Sequence, residues 1–427
     1  MNSLKKISLN FIDLFSGAGG LSEGFIRAGF NPVAHVEIDE AACNTLLTRT
    51  VYHKLKNTTG FELYKSYLKG KLSKEKLHGL LNVDEYNSVI NLAISDENNP
   101  VIFKRIDDLI NGKSIDLIVG GPPCQAYSLA GRARDKKKMK GDSRNYLFQQ
   151  YAKYLEYYKP KIFVFENVLG LLSAMNEDGS KYIDQMISLF SEVGYITEYK
   201  LVNASDFGVL QNRKRVILIG KKGKETGFYP EFEKNADNKT ALVKEILADL
   251  PEIQAGSGDW FNVKYKNKGS EYVFDASIRN GIDFTTQHIA RPHNNQDKEI
   301  YRIAVKKWNS GQTRLDYNDL PDELKSHSNR HSFVDRFKVV APDLTKTQTV
   351  VAHIAKDGHY YIHPDIFQNR SLTVREAARL QSFPDDYFFE GIDEKPSRTA
   401  AFKQIGNAVP PLLAEQIAKK IKQLIKI

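Results

Sequence analysis

The chain is poor in cysteine: it has two in 427 residues, Cys43 and Cys124, far apart and without metal-ligand spacing. That excludes a disulfide framework and argues against a bound metal, leaving a reducing compartment with one thiol free to react. Long apolar runs are missing too. No segment approaches the roughly 18 uninterrupted apolar residues of a membrane span. Near the start, Lys5 and Lys6 precede an apolar run that Asp13 interrupts, which is not the pattern of a signal peptide. A cytoplasmic protein with no membrane contact is expected. Internal repeats and low-complexity tracts are absent as well.

What is present is a basic excess, 61 Lys plus Arg against 52 Asp plus Glu, for a formal charge of +9. A polyanionic partner suits that balance, because each cation laid on a phosphate releases a condensed counterion. A merely soluble surface is the plainer alternative. The length allows two or three domains.

Along the first half, apolar strand-like runs alternate with helical stretches, the pattern of an α/β fold with a mostly parallel sheet. The runs are Asn10–Phe15, Pro32–Ile38, Ile115–Gly120, Lys161–Glu166 and Arg215–Gly220; helices are expected at Leu147–Tyr158 and Ile183–Val193. Two regions break the rhythm. About residues 50–100 form an insertion, in which His53 to His78 holds seven lysines against two glutamates. This is either a wet helical face or a DNA-facing one, the first being the commoner case. Residues 221–369 lose the alternation and gain aromatic, Asn, His and Gly content. Regular pattern returns near Ser371, and Leu413, Ile417, Ile421 and Leu424 recur at helical spacing behind Pro410 and Pro411. The expected division is 1–220, a smaller domain at 221–369, and 370–427 returning to the first domain.

Chemistry-bearing residues cluster at the ends of the strand candidates. FIDLFSGAGG runs a strand into a turn at Gly17, Gly19 and Gly20, and glycine allows close approach of a ligand. A tight corner with no ligand is as good a reading of that turn alone. The next strand ends on Glu37, where a carboxylate can hold ribose hydroxyls. Ile38 beside it is either an adenine platform or a core residue. A third strand runs into GGPPCQAYS, where Pro122 and Pro123 restrict the backbone and aim Cys124. Buried cysteines are usually inert, but this one follows a parallel strand's carboxyl end, where open α/β sheets place their sites. The fourth strand ends on Glu166 and Asn167, and a carboxylate after four apolar residues needs a partner or a purpose. In QNRKRV, Arg213 and Arg215 are expected to face the same way and form a fork for a carbonyl or phosphate, unless they are only a solvated strand end. Together these groups suit covalent catalysis on a cytosine ring: a thiolate at carbon 6, an acid at ring nitrogen 3, and a base taken out of the stack.

At these residues the sequence resembles the cytosine carbon-5 DNA methyltransferases, above all the bacterial enzymes of restriction–modification systems. FIDLFSGAGG, GGPPCQAYS, ENV, QNRKRV, SLTVREAARLQSFPDDY and QIGNAVPP occur in the family's order across most of the chain. The resemblance implies a class I S-adenosylmethionine-dependent methyltransferase fold, Rossmann-like, with a smaller target-recognition domain at 221–369. It implies Cys124 as nucleophile, Glu166 as acid, Asn167 as support, and Arg215 with Arg213 at the base. Phe15, Gly17, Gly19, Gly20, Glu37, Ile38, Pro123, Leu147, Asn407 and Val409 match S-adenosylmethionine-pocket positions. Gln125, Ser128, Arg132, Arg134 and Arg144 fall on an expected catalytic loop that meets double-stranded DNA; its segment Gly131–Arg144 carries seven basic residues against two acidic. The adenine-contacting Asp of the family's Gly-Asp-Ile pattern is not found; the nearest match is Lys104-Arg105-Ile106, followed by Asp107. In the small domain, Arg279, Asn280, His288, Arg291, His293, Asn294, Asn295, Arg330 and His331 are types able to read bases or hold phosphates, although structural roles are commoner. No metal is expected. A cognate restriction endonuclease and a monomeric enzyme are the expectations for partners. Three other readings remain: a transfer-RNA cytosine methyltransferase on the same core, an inactive DNA-binding homologue, and a dinucleotide-dependent oxidoreductase.

Overall fold

The computed structural model describes residues 9–123, 146–176, 178–233, 241–328, 330–331 and 333–426. Strands β1 (Leu9–Leu14), β2 (Phe30–Glu37), β3 (Val89–Asn91), β4 (Leu117–Gly120), β5 (Ile162–Val168), β6 (Tyr195–Asn203) and β7 (Lys214–Lys222) form a sheet in the order β3-β2-β1-β4-β5-β7-β6. All pairings from β3 to β5 are parallel, and β7 runs antiparallel to β5 and β6. Alternating side chains feed two cores, as a sheet covered on both faces requires. Ile12, Leu14, Ala34, Val36, Ile118, Phe163 and Phe165 point to one. Phe11, Leu117, Val119, Val164 and Ile217 point to the other.

The first face is covered by α6 (Asn99–Ile110), α7 (Leu147–Tyr158) and α8 (Tyr182–Glu192); preceding α6 in the chain are α1 (Gly20–Arg27), α2 (Glu40–Leu55), α3 (Phe61–Leu68), α4 (Lys74–His78) and α5 (Val83–Asn87). The second face is covered by α1 together with the last helix, Pro411–Lys426. These two helices approach closely at the glycines of the first. A Cβ at Gly24 would lie 2.4 Å from the Ala414 Cβ, and one at Gly20 would lie 2.2 Å from the Val409 carbonyl oxygen.

The five expected strands and both expected helices are present within a few residues of their expected bounds. Sequence reading missed β3 and β6. Both are edge strands: β3 has three residues, and β6 (YITEYKLVN) is largely half-exposed rather than apolar. The inserted region has a packing role. The Tyr64 hydroxyl donates to the Asp386 carbonyl (2.8 Å), Tyr67 donates to Glu390 (2.5 Å), and Lys74 donates to the carbonyls of Ile392 (3.0 Å) and Asp393 (2.7 Å). The Asn262 N–H donates to the Leu68 carbonyl (3.1 Å). The insertion thus joins the 386–393 segment to the region after β7.

That region is sparse in regular structure. It holds the two-residue strands β8 (Gly258–Asp259), β9 (Val263–Lys264), β10 (Phe284–Thr285) and β11 (His288–Ile289), helix α9 (Glu271–Asp275) and helix α10 (Asn295–Gly311). Helices α11 (Val374–Leu380) and α12 (Arg398–Asn407) follow it, and Pro411–Lys426 is α13. Val243, Val273, Val340 and Val350 share one apolar core with α11 and α12, while α10 anchors a second with Leu315, Phe337 and Ile362.

Because the α1–α13 contact has no room for a methyl group, Gly24→Ala is expected to lower stability by about 1–3 kcal/mol. Denaturant unfolding measures this; an unchanged midpoint would show that the helices separate freely.

Candidate active site

Strand register brings the candidate residues to one edge. Leu14 lies opposite both Val36 and Gly120, and Gly120 lies opposite Phe165, so β1, β2, β4 and β5 end at a common level. Because β7 runs the other way it begins there, with Arg215 opposite Val168.

On the β1–β2 side the backbone turns sharply after β1: Phe15, Gly17 and Gly19 have φ of 56°, 53° and 77°. The Gly17 N–H donates to Glu37 Oε2 (2.7 Å), while the N–H groups of Ile38 (2.9 Å) and Asp39 (2.8 Å) donate to Oε1. Burial pushes the Glu37 carboxyl above its ordinary range, against the pull of these three amides. Just beyond it, Ile38 is 65% exposed, an uncommon state for an isoleucine. Among the described residues nothing stands within 4 Å of where a Gly17 Cβ would be. An acceptor fixed by amides, a bare apolar side chain and open space over a glycine turn fit a ribose and a purine. The far wall comes from the end of the chain. Asn407, exposed, closes α12, and the Val409 carbonyl lies against Gly20.

Two residues here were missed by sequence reading. Asn91 ends β3 and donates from Nδ2 to the carbonyls of Glu37 (3.1 Å) and Ile38 (2.9 Å). It stands beside Ile38, whereas Lys104, Arg105, Ile106 and Asp107 lie within α6, with Lys104 paired to Asp108. Asp13, inside β1, is buried, and neither of its carboxyl oxygens has a hydrogen-bond partner among the described residues. Burial, then the nearby Glu37 charge, holds its pKa well above the usual carboxylate range. A carboxylate in the middle of an apolar strand was the available signal.

On the β4–β5 side, Glu166 Oε1 lies 2.6 Å from Arg215 Nε, and both side chains are largely buried. Gly121 lies against this pair: a Cβ there would be 2.8 Å from Glu166 Oε2. Asn167, buried, donates to the Pro122 carbonyl (3.4 Å) and accepts from the Val168 N–H (2.9 Å). The peptide leading to residue 124 is thereby pinned to the glutamate's strand. Pro123 is exposed, and Leu147, half-buried, begins α7. Cys124, Gln125, Ser128, Arg132, Arg134 and Arg144 lie outside the described residues. The second cysteine, Cys43, is buried, and burial pushes its thiol up to about 12, so it supplies no thiolate near neutrality.

Arg213 does not join Arg215 in a fork. It precedes β7, is fully buried, and donates to the carbonyls of Val350 (2.7 Å), Ala408 (2.7 Å) and Gly406 (3.3 Å). The strand's alternation does not extend back to it. Most of the residues after β7 that could read bases are also spent internally. Arg279 donates to the Lys268 carbonyl, Asn280 to Asp386, and Arg291 to the carbonyls of Ile354 and Ala355. His288 lies between Thr373 and the Pro251 carbonyl, His293 meets Ser371, and Asn294 caps α10. Asn295, Arg330 and His331 are exposed.

The sequence model of the C-5 cytosine-specific DNA methylase family matches residues 9–67 and 87–423. The chain belongs to this family. Type II methyltransferase M.Bpa9945I of Bacillus paralicheniformis is 41% identical, over 97% of this chain and 98% of that protein. Type II methyltransferase M.DdeI of Desulfomicrobium norvegicum is 31% identical, over 97% and 88%. Among solved structures, a prophage-encoded protein of E. coli described as a DNA modification methyltransferase superposes with a TM-score of 0.60 at 26% identity, covering 98% of this chain and all of that one. The family match leaves out residues 68–86, within which α4 lies. The observed sheet is that of class I S-adenosylmethionine-dependent methyltransferases. Among the described residues no helix is long and apolar enough to cross a membrane, and no cluster of His, Cys, Asp and Glu is arranged to hold a metal.

Gly121→Ala is expected to displace the Glu166 carboxylate, and misplacement by about 1 Å can cost on the order of 100-fold in rate. Methyl transfer should fall steeply with cofactor affinity kept; an unaltered rate would show that Glu166 has room to move without consequence.

Proposed function

We propose that the protein methylates carbon 5 of a flipped-out cytosine in a specific duplex DNA sequence, with S-adenosylmethionine as donor. The observation that carries this reading is the Glu166–Arg215 pair, 2.6 Å apart, held against the Gly121–Pro122 turn that runs directly into Cys124. The Glu37–Ile38 cradle opens at the same sheet edge.

S-adenosylmethionine in that cradle supplies an electrophilic methyl group. The chain's residues do the rest. Cys124, as thiolate, adds to carbon 6 and passes electron density to carbon 5, which carbon 5 needs before it can form the new bond. Glu166 provides the proton or strong hydrogen bond at ring nitrogen 3, and Arg215 meets the base carbonyl, so the ion pair is aimed at two adjacent ring positions. Asn167 keeps the turn and the acid in register through the Pro122 carbonyl. Loss of the carbon 5 proton and departure of the Cys124 thiolate restore the double bond. Glu37 holds the ribose, Ile38 packs on adenine, and Phe15, Gly17, Gly19, Gly20, Pro123, Leu147, Asn407 and Val409 complete the pocket. Asn91 takes the edge where the family's Asp would be expected. Gln125, Ser128, Arg132, Arg134 and Arg144, in the sequence after Cys124, meet DNA. Residues 221–369 choose the sequence, set into a catalytic domain made of 1–220 and 370–427. The enzyme acts as a monomer in the cytoplasm, protecting DNA against a cognate endonuclease.

Incubation of the protein with labelled S-adenosylmethionine, unmethylated duplex DNA and a transfer-RNA pool, followed by bisulfite sequencing, is expected to give methylcytosine within one short DNA motif. Label on RNA alone would move the activity to transfer RNA. Cys124→Ala should abolish transfer while DNA binding survives; near-normal turnover would remove Cys124 from the mechanism.

The raised pKa of Glu37 has a sign that titration can read. Ribose binding needs the ionised carboxylate, so affinity for S-adenosylhomocysteine should fall on acidification, starting above the pH at which an ordinary glutamate protonates. Calorimetric titration from about pH 7 to about pH 5 covers the window. Glu37→Gln should bind weakly with a flat profile; wild-type affinity independent of pH would take the ribose away from Glu37.

A further inference from the structure

Residues of three motifs that the catalytic reading leaves without a role, Gln211 and Arg213, Gln381, and Ile405 to Ala408 save Asn407, converge on one buried polar hub. Gln211 and Gln381 are fully buried. Gln211 Nε2 donates to Gln381 Oε1 (2.8 Å) and to the Leu380 carbonyl (2.7 Å), and its Oε1 accepts from the Val350 N–H (3.0 Å). Gln381 Nε2 donates to the Ile405 carbonyl (2.6 Å) and, more weakly, to that of Ala408 (3.4 Å). Arg213 completes the hub with its bonds to Val350, Gly406 and Ala408. Each amide orientation follows from its partners: the Gln211 oxygen faces an N–H, so its nitrogen faces the acceptors.

The hub's position gives it a purpose beyond packing. Ala408 precedes Val409, whose carbonyl lies against Gly20 in the cofactor turn. Arg213 lies two residues before Arg215, which holds Glu166. Val350 belongs to the long region after β7, which Thr347 also ties to residue 212: the Asn212 N–H donates to the Thr347 carbonyl (2.9 Å). The residue before the cofactor wall (Ala408), the residue before β7 (Arg213) and the 347–350 segment therefore share one set of hydrogen bonds. Apolar side chains would fill the space, but without directional bonds they would not fix how the three segments stand to one another.

We propose that Gln381 and Arg213 are positioning residues that couple the cofactor cradle to Arg215, so that cofactor and target duplex bind cooperatively through the hub. This rests on the functional reading above. Coupling of this kind is reciprocal, and either ligand reports it.

The test measures duplex affinity by fluorescence anisotropy, with and without saturating S-adenosylhomocysteine, and cofactor affinity by calorimetry. The duplex carries the motif found by bisulfite sequencing. The wild type is expected to bind duplex about tenfold more tightly when S-adenosylhomocysteine is present. In Gln381→Met that ratio should fall to within about twofold of one, each ligand alone binding within about threefold of wild type, as loss of coupling without loss of sites requires. Arg213→Lys, which keeps the charge but not the three-way geometry, should lower the ratio in the same direction and serves if Gln381→Met does not fold. A wild-type ratio retained in both variants overturns the proposal, as does a parallel loss of both affinities with the ratio intact, which would make the hub structural only. A wild type that binds each ligand but shows a ratio of one overturns the coupling and leaves the proposed function standing. A wild type that binds no S-adenosylhomocysteine overturns both.

Discussion

The reversal of a single strand organises the molecule. Parallel strands deliver their carboxyl ends to one edge, and anything carried at an amino end would ordinarily lie on the far side of the sheet. Running β7 against β5 removes that restriction: its first residues meet the last residues of β5, and an arginine can be set against a glutamate from the neighbouring strand. Partial burial then makes the pairing count, since neither charge has bulk water to fall back on. The turn after β4, whose glycine leaves room for the carboxylate, depends on where that pair sits.

A second constraint is that charge taken into this interior is compensated by directional bonds. Arg379 is fully buried between Asp249 and Asp385, Arg370 reaches Glu376 with two nitrogens, and Arg375 donates to carbonyls of Thr286, Pro384 and Tyr387. These arginines all lie between residues 370 and 379, where regular pattern returns in the sequence. Their concentration explains how a region with few regular elements keeps a defined shape: side-chain to backbone bonds replace the ladders that sheets and helices would supply.

This also sets how much could be read in advance. Elements with apolar periodicity were legible: β1, β2, β4, β5, β7, α7 and α13 follow from runs and spacing, and Glu37, Glu166 and Asn167 follow from their places at strand ends. Edge strands were not, because β3 is too short and β6 too polar to stand out. Arg213 was misjudged because two-residue alternation was carried one step past the beginning of the strand, where the side chain donates to the Val350 carbonyl instead. The histidines and arginines after β7 were residue types able to read bases, with phosphate or structural roles the commoner case, and nothing in a sequence shows which carbonyls lack a donor. Arg291, which covers the carbonyls of Ile354 and Ala355, is such a case.

The contact between α1 and α13 carries a consequence for how the protein is made. Gly20 and Gly24 lie in the first helix, while the backbone that presses on them comes from residues 409–415, translated far later. During synthesis the glycine turn and its carboxylate emerge early and wait without their opposite wall. A chain still lacking α13 has the floor of the nucleoside cradle but not its side. The proposed cradle is complete only once residues 409–415 have been made, so no shorter product of translation holds all of it.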